Sequence, residues 1–159
     1  MKGAQSHDVD VALPASEVWE VYGTIRLAEL AAELVPQSVA KFEIIQGDGG
    51  VGTILKVFFP PGSPGPAFHM EKFVLVDDKK RVKDVDVIEG GYLELGFSAY
   101  KVRFEILEKE GGVGSVIRNV VEYEISDELA ANASYITVAP FVALAEAVAK
   151  YLAEKKATA

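Results

Sequence analysis

The dominant feature of this sequence is a long run, from Ala40 to Ile125, in which strand-like patterns follow one another with only short turns between them. Its last two segments alternate apolar and polar side chains, as half-buried strands do. Successive strands with short turns predict an antiparallel meander. An alanine-rich segment from Asp127 to Lys156 follows and predicts one long helix, which Pro140 should kink or divide.

The residues before this run predict one further strand and two short helices. Alternation marks a strand from His7 to Leu13, and Pro14 opens a first helix. Thr24 is a suitable N-cap for a second helix, which Pro36 ends. The later strands are predicted at Ala40–Gln46, Thr53–Phe59, Phe68–Val76, Arg81–Glu89, Leu93–Leu107 and Ser115–Ile125. The fold class is therefore α+β, with a seven-stranded antiparallel sheet around a long C-terminal helix.

A strongly curved sheet that grips one helix can enclose a cavity for small apolar ligands. The long helix carries small residues that are expected to face inward, among them Ala143, Ala145, Ala147 and Ala149. These residues either leave room for such a cavity or allow the helix to pack closely on the sheet. No linker, repeat or second core interrupts residues 1–159, so we expect a single domain.

Composition excludes several classes of function. The net charge of -8 argues against binding to a nucleic-acid backbone. The absence of cysteine excludes disulfides, thiol nucleophiles and thiolate metal sites, and only two histidines are present. Neither a membrane-spanning run nor a signal-type N-terminus is evident. We therefore expect a cytoplasmic protein, a monomer or weak dimer, that needs no metal or cofactor and inserts into no membrane.

Two loops invite functional hypotheses. The stretch Gly47–Gly52 lacks the Gly-Lys-Ser/Thr of a phosphate loop and precedes a strand instead of a helix, so a tight hairpin loop with positive φ angles is favoured. The stretch Pro60–Pro66 joins two strands and cannot itself be regular. It is either a stiff surface connector or a rim that shapes the mouth of the cavity.

Lys83 carries the sharpest chemical signal. Alternation in the strand Arg81–Glu89 puts Asp84 and Asp86 on the solvent face and Lys83 on the inward face. A buried ammonium is costly without a partner, and burial lowers its pKa. Glu71 is the candidate partner, because it shares a face with His69, Phe73 and Leu75 on the preceding strand. The two residues form either a functional pair or a structural ion pair, unless Lys83 extends to the sheet edge.

His69 lies two residues before Glu71 and therefore projects to the same side. It acts as an acid–base group, orients a phenol, or rests half in water at the strand end. His7 lies on the apolar face of the first strand and is interpreted as structural. Tyr22, Tyr100 and Tyr123 are most simply core aromatics, although each has a hydroxyl that a cavity could use.

The order of elements, the glycine loop and the long C-terminal helix resemble the plant pathogenesis-related class-ten proteins, which are relatives of the major birch pollen allergen. The likeness covers essentially the whole chain. Within that superfamily, Gly47–Leu55 and Ile88–Gly96 look closer still to the norcoclaurine synthase and norbelladine synthase branch. Two further parts of the chain, Leu13–Ala15 with Val18–Tyr22 and Ala130–Ser134, look most like the norbelladine synthases of monocots.

This resemblance implies a helix-grip fold with a tunnel between sheet and helix, and cofactor-free condensation of an arylethylamine such as tyramine or dopamine with an aromatic aldehyde. The glutamate and lysine that carry acid–base work in that branch fall on Glu71 and Lys83, with His69 beside them. Norcoclaurine synthases have an aspartate where this chain has Val102, and norbelladine synthases have a tyrosine where it has Phe68. The expected catalytic residues are Glu71, Lys83 and His69, and the expected substrate contacts are Phe68, Phe73, Tyr100, Val102, Phe141 and Leu144.

A second hypothesis is a binding module. The same superfamily resemblance allows a carrier or receptor of flavonoids, hormones or other amphipathic plant metabolites with a role in defence. Glu71 and Lys83 favour the enzyme, whereas Phe68 and Val102 favour the carrier. An alkaloid-forming lyase of the condensing type is the hypothesis that the sequence supports best.

Overall fold

In the computed structural model, which describes residues 1–159, seven antiparallel strands form one sheet in the order β1-β7-β6-β5-β4-β3-β2. The first two strands lie at opposite edges, and the two short helices connect them. This arrangement confirms the predicted α+β fold. The elements are β1 (Lys2–Val11), α1 (Ala15–Tyr22), α2 (Arg26–Leu34), β2 (Lys41–Gln46), β3 (Ile54–Phe58), β4 (Phe68–Asp77), β5 (Val82–Gly90), β6 (Phe97–Glu108), β7 (Ser115–Ile125) and α3 (Ala139–Ala157).

Two predicted strand starts were wrong. The first strand begins at Lys2 because residues 2–6 extend the pairing with β7. The strand predicted from Leu93 begins only at Phe97, since Gly91–Leu95 forms a 3-10 turn whose neighbour Gly96 has a φ of 95°. Positive φ angles at glycine end a strand locally.

The C-terminal segment is divided instead of continuous. Residues Asp127–Tyr135 form a 3-10 helix, and α3 begins only at Ala139. Pro140 lies in the first turn of α3, where its missing N–H has no helical partner to lose. The proline therefore opens α3 without kinking it.

The helices cover one face of the sheet, and a contiguous core of 29 buried apolar residues lies between them. α3 contacts mainly β1, β7 and α2. Its buried residues are Leu144, Ala145 and Val148, whereas Ala143 is exposed. The expectation that four alternate alanines all face inward was wrong, because residues two apart on a helix point about 200° apart.

Two of the open grooves on the surface include residues of β1. His7 lines both of them and is exposed, so it is not the buried structural histidine that was expected. The internal cavity between sheet and helix stays a prediction. It is supported by the partial solvent exposure of inward-facing residues on β4, which are described below.

The segment from Asp127 to Ala157 is long and apolar enough to cross a membrane by length and composition alone. A helix that covers the core of a soluble protein passes the same test, so this is weak support for a membrane role. The predicted absence of membrane insertion stays a prediction.

Candidate active site

The inner faces of β4 and β5 bring the predicted acid–base residues onto one surface. Antiparallel pairing sets Glu71 opposite Val87 and Phe73 opposite Val85. A register shift between Phe73 and Leu75 then adds one residue to β4, and Val76 becomes the partner of Lys83. Leu75, which was expected on the inner face, instead pairs with Asp84 on the outer face.

Lys83 is buried in the interior, as the alternation predicted, with 2% of its surface exposed. Its Nζ atom lies 3.5 Å from the carbonyl oxygen of Thr24 and 3.9 Å from the centre of the Phe73 ring. Burial lowers the pKa of Lys83 to about 8, and the charge of Glu71 opposes this shift. Its ammonium is therefore weakly solvated and easily made to lose its proton.

Lys83 and Glu71 form no direct hydrogen bond or ion pair, and a water-bridged contact between them stays a prediction. Glu71 instead contacts His69, whose Nε2 atom lies 2.8 Å from Glu71 Oε1. The influence of Glu71 on Lys83 is electrostatic and acts across the inner face. The site thus holds a carboxylate–imidazole pair and a separate buried amine, not an ion pair.

His69 and Glu71 are accessible as well as paired. Their side chains keep 14% and 20% of their surfaces exposed, so small molecules in solvent can reach them. The ring of Phe59 packs edge-on against His69 with centroids 5.1 Å apart. Gly91 passes so close that a Cβ atom there would lie 2.9 Å from His69 Cβ. Both neighbours restrict the orientation of the imidazole.

The aspartate Asp84 on β5 forms a salt bridge that the sequence did not predict. Asp84 does lie on the outer face, but it is buried beneath Arg103, which donates to both of its carboxylate oxygens at 2.7 and 2.8 Å. The bond raises the pKa of the Arg103 guanidinium. This bidentate pair fixes β5 against β6 and so fixes the strand that carries Lys83.

Aromatic and apolar side chains form the walls around these groups. Tyr100 is buried on β6 and stacks on Tyr92 with centroids 4.6 Å apart. Burial raises the pKa of the Tyr100 hydroxyl, and the charges of Tyr92 and Glu71 raise it further. Five of the six expected substrate contacts belong to or pack against the buried core: Phe73, Tyr100, Val102, Phe141 and Leu144.

Phe68 is the exception, because its ring does not pack against this core, and its role as a substrate contact stays a prediction. Its ring packs near Phe58, with centroids 6.4 Å apart, and the Lys56 ammonium lies 4.3 Å from its centre. These residues lie on the outer face of the sheet. Because adjacent strand residues point to opposite faces, His69 faces inward and Phe68 faces outward.

The glycine loop forms the predicted hairpin and also supports the Lys83 site. Gly49 has a φ of 108° and lies so close to α2 that a Cβ atom there would be 2.9 Å from the Ile25 nitrogen. Gly52 donates its N–H to the carbonyl of Phe73 at 2.8 Å. The loop thus contacts both the segment that contains Thr24 and the strand that carries Phe73, which are the two neighbours of the Lys83 ammonium.

Sequence reasoning missed three of these contacts. The carbonyl of Thr24 has no side-chain signal, and only tertiary structure reveals it as an acceptor. Phe59 was predicted to end a strand, yet its ring packs on His69. Tyr92, which stacks on Tyr100, lies in the stretch Ile88–Gly96 that carries the family likeness. This likeness was the only feature of the sequence that pointed to Tyr92 as a site residue.

The family model for the pathogenesis-related protein Bet v 1 family matches residues 1–155. The chain belongs to this family. The match spans the whole sheet and nearly all of α3, including every residue of the site described above.

Individual relatives lie in the branch that the sequence resembled. A norbelladine synthase from Narcissus pseudonarcissus is 51% identical over 156 residues, which are 98% of this chain and 95% of that protein. An S-norcoclaurine synthase from Thalictrum flavum subsp. glaucum is 40% identical over 94% of this chain and 70% of that protein. A solved structure of norcoclaurine synthase from Thalictrum flavum, in complex with dopamine and hydroxybenzaldehyde, superposes with a TM-score of 0.86, at 39% identity over 97% of this chain and 88% of that one.

Proposed function

We propose that this protein condenses an arylethylamine with an aromatic aldehyde in alkaloid biosynthesis. One observation carries the proposal: a buried lysine and an accessible carboxylate–imidazole pair lie on the same inner face of the sheet. Its relatives are norbelladine and norcoclaurine synthases, and one of the latter was solved with dopamine and hydroxybenzaldehyde. Tyramine or dopamine is therefore the proposed amine.

The geometry suits Lys83 to activate the aldehyde. Its ammonium has one weak protein acceptor, the Thr24 carbonyl at 3.5 Å, which leaves donors free for a carbonyl oxygen. With a pKa of about 8 it is mainly protonated at neutral pH. It also transfers its proton more readily than an exposed lysine does. We assign to it the hydrogen bond to the aldehyde oxygen.

Glu71 is suited to act as the base. An arylethylamine arrives as an ammonium ion and must lose a proton before its nitrogen can attack. A carboxylate that solvent can reach is able to accept this proton. His69, at 2.8 Å, holds the carboxylate in place and is able to accept a proton in turn.

The proposed reaction balances without a cofactor. The amine nitrogen adds to the aldehyde carbon, the carbonyl oxygen takes a proton from Lys83, and the nitrogen loses a proton to Glu71, which gives the carbinolamine. Glu71 releases its protons to solvent, and Lys83 is reprotonated from solvent. Lys83 then protonates the hydroxyl, the nitrogen lone pair expels it as water, and loss of the last nitrogen proton to Glu71 leaves the neutral imine. Holding both reactants in one cavity raises their effective concentration.

We propose that the reaction stops at the imine. Ring closure needs a further base, and the resemblance to norcoclaurine synthases puts an aspartate where this chain has Val102. Val102 is buried between apolar neighbours, with Val85 and Val121 as its cross-strand partners. We further propose a lyase-type activity, a cytoplasmic location and a monomeric or weakly dimeric state, on the basis of the sequence expectations above.

A mass-spectrometric assay tests the proposal. Tyramine or dopamine is incubated with benzaldehydes and phenylacetaldehydes, and product is measured above the uncatalysed background. Lys83→Ala and Glu71→Ala should each lower the catalysed rate about a hundredfold or more, the usual scale for a positioned acid or base. Lys72→Ala, on the outer face of β4, is the matched control and should change the rate less than about twofold.

One outcome of this assay would contradict the proposal. If the wild type and both site variants form product only at the background rate, the condensing activity is wrong. Ligand binding that responds little to either substitution would then favour the carrier hypothesis.

A further inference from the structure

The amine of Lys83 and its acceptor lie on separate elements. The Thr24 carbonyl, 3.5 Å from Lys83 Nζ, belongs to the corner between α1 and α2, whereas Lys83 lies on β5. Within the corner, the Thr24 hydroxyl donates to the Glu20 carbonyl at 2.7 Å and so ties the residue to α1. The distance from the ammonium to its acceptor therefore depends on how α1 is held against the β4–β5 hairpin.

Trp19, the one tryptophan of the chain, makes this connection. Its ring is buried on α1, and its indole N–H donates to the Asp78 carboxylate at 2.9 Å. Asp78 lies in the turn between β4 and β5. The same ring packs so closely on Gly23, the residue before Thr24, that a Cβ atom there would overlap it. One side chain thus contacts both the corner that carries the acceptor and the hairpin that carries the amine.

The turn itself does not depend on Asp78. The neighbouring carboxylate of Asp77 accepts the main-chain N–H groups of Lys79 and Lys80 at 3.0 and 2.9 Å. Asp78 is exposed, and its carboxylate has the Trp19 indole as its one hydrogen-bond partner. Removing that carboxylate therefore removes the link to α1 and leaves the bonds of the turn in place.

We propose that Trp19 and Asp78 are positioning residues for Lys83: their hydrogen bond holds the Thr24 carbonyl within reach of the ammonium. This inference rests on the proposed condensation, in which Lys83 acts in its protonated form. The Thr24 carbonyl is the one hydrogen-bond acceptor of Lys83, and an acceptor favours the charged form. If the corner moves away, the neutral amine is favoured and less of the proton donor remains. Trp19 and Asp78 act through Thr24, not on the reacting atoms.

The titratable groups that face Lys83 are few. Burial lowers the pKa of Lys83, and Glu71 on β4 is the charged side chain that opposes this shift. On β6 the cross-strand partner of Lys83 is the apolar Phe104. Tyr22 of α1 packs on that ring, and burial raises the pKa of its hydroxyl, so Tyr22 is neutral near pH 8. Neither Glu71 nor Tyr22 forms part of the indole link, so a change in the pKa of Lys83 on loss of that link reports on the Thr24 carbonyl.

Variants of the exposed Asp78 test the link without altering the core. Asp78→Ala removes the acceptor of the indole bond. Asp78→Asn removes the same charge but keeps an acceptor oxygen, and so is the matched control. Trp19→Phe removes the donor from the other side. The pKa of Lys83 is measured without substrate, by NMR titration of protein that carries isotope-labelled lysine, with the signal assigned by its absence in Lys83→Arg. The condensation rate is measured at the same pH values.

We expect the pKa of Lys83 to fall in Asp78→Ala and Trp19→Phe and to stay near the wild-type value in Asp78→Asn. The rate of Asp78→Ala relative to the wild type should therefore depend on pH. At about pH 6.5, where Lys83 stays protonated in both proteins, the rates should be about equal. At about pH 8, Asp78→Ala should be about two- to threefold slower, because a smaller fraction of Lys83 is protonated. Asp78→Asn should match the wild type at both pH values.

An unchanged pKa of Lys83 in Asp78→Ala would overturn the proposal, even with a lower Tm, since the bond would then stabilise the fold alone. An equal fall in Asp78→Ala and Asp78→Asn would also overturn it, because the charge of Asp78 and not its bond would be responsible. Failure of the condensation itself is distinguishable, since the titration needs no substrate. A lower pKa in Asp78→Ala alone, without imine product from any of the proteins, would support the positioning role and refute the proposed activity.

Discussion

Glu71 is bonded to His69, not to Lys83: its Oε1 atom lies 2.8 Å from the imidazole Nε2 atom. This pairing separates the two proton-handling functions in the site. The Glu71 carboxylate is hydrogen-bonded to His69, which solvent can reach. The Lys83 amine lies apart from this pair in the buried interior. A direct Glu71–Lys83 bond would instead have held both residues in one ion pair and engaged the donors of Lys83.

Glu71→Gln tests the base role of Glu71 separately from its shape. Glutamine has nearly the same size and its amide oxygen can still accept a bond from His69, but it cannot take a proton. We expect the condensation rate to fall about a hundredfold with little change in Tm. Glu89→Gln, at an exposed position of β5, is the control. Retention of most activity in Glu71→Gln would show that the carboxylate is not the base.

Lys83 gives the reaction a characteristic pH dependence. As the hydrogen-bond donor it must be protonated, so its contribution is lost as pH rises through its pKa of about 8. Arginine stays protonated over the whole range, and Lys83→Arg should therefore be slower near neutrality but lose less activity above about pH 8. The ratio of the two rates, measured between about pH 6.5 and 9.5, cancels the titration of the free amine. A ratio that does not vary with pH would contradict the donor role.

The same residue affects stability. The pKa of Lys83 is about 8 in the folded protein against an ordinary 10.5, so the unfolded chain binds more protons between these values. The free energy of unfolding should therefore rise with pH from about 8 to about 10.5, and by up to about 3 kcal/mol. Lys83→Met has no such proton and should be more stable than the wild type near pH 7. Chemical denaturation of both proteins at several pH values measures the difference.

The inward position of Lys83 could be predicted because β5 alternates without interruption from Val82 to Val87. Two aspartates two residues apart fix the outer face, and the residue before them must point the other way. The position of Leu75 could not be predicted, since a bulge adds one residue to β4 without changing the composition of the strand. The contact of Lys83 with the Thr24 carbonyl could not be predicted either, because every residue has a main-chain carbonyl and the sequence does not mark this one as an acceptor.

Phe68 illustrates a different limit. The alternation that put His69 inward already put its neighbour outward, and the resemblance to norbelladine synthases led to the opposite interpretation. The structure agrees with the alternation. For α3, by contrast, a period of two was applied to alanines on a helix, where the period is 3.6, and Ala143 is exposed as a result. Periodicity therefore failed on α3 because the wrong period was used, and at Leu75 because a bulge interrupts β4.

The outward position of Phe68 leads to a prediction about the tyrosine of norbelladine synthases. Phe68→Tyr adds a hydroxyl on the outer face beside Lys56, away from the reacting groups. We expect the condensation rate to change less than about twofold. Val102→Asp is the contrasting variant, because an inward carboxylate among valines should lower the Tm. A large gain of activity in Phe68→Tyr would place residue 68 in the substrate site after all.

The last prediction concerns Gly91, which lies against His69. Its φ is 55°, and a Cβ atom there would be 2.9 Å from His69 Cβ and 3.4 Å from Nδ1. Gly91→Ala should therefore displace the imidazole from Glu71 as well as strain the main chain.

Gly111 is a matched control in the β6–β7 turn, with a φ of 87° and no atom within 4 Å of the corresponding position. Both alanine variants should lose about 1 kcal/mol of stability, since L-residues disfavour positive φ. Only Gly91→Ala should also lose about tenfold in condensation rate, on the scale of a misplaced catalytic group. Equal rates in the two variants, measured well below both Tm values, would show that the position of His69 does not matter to the reaction.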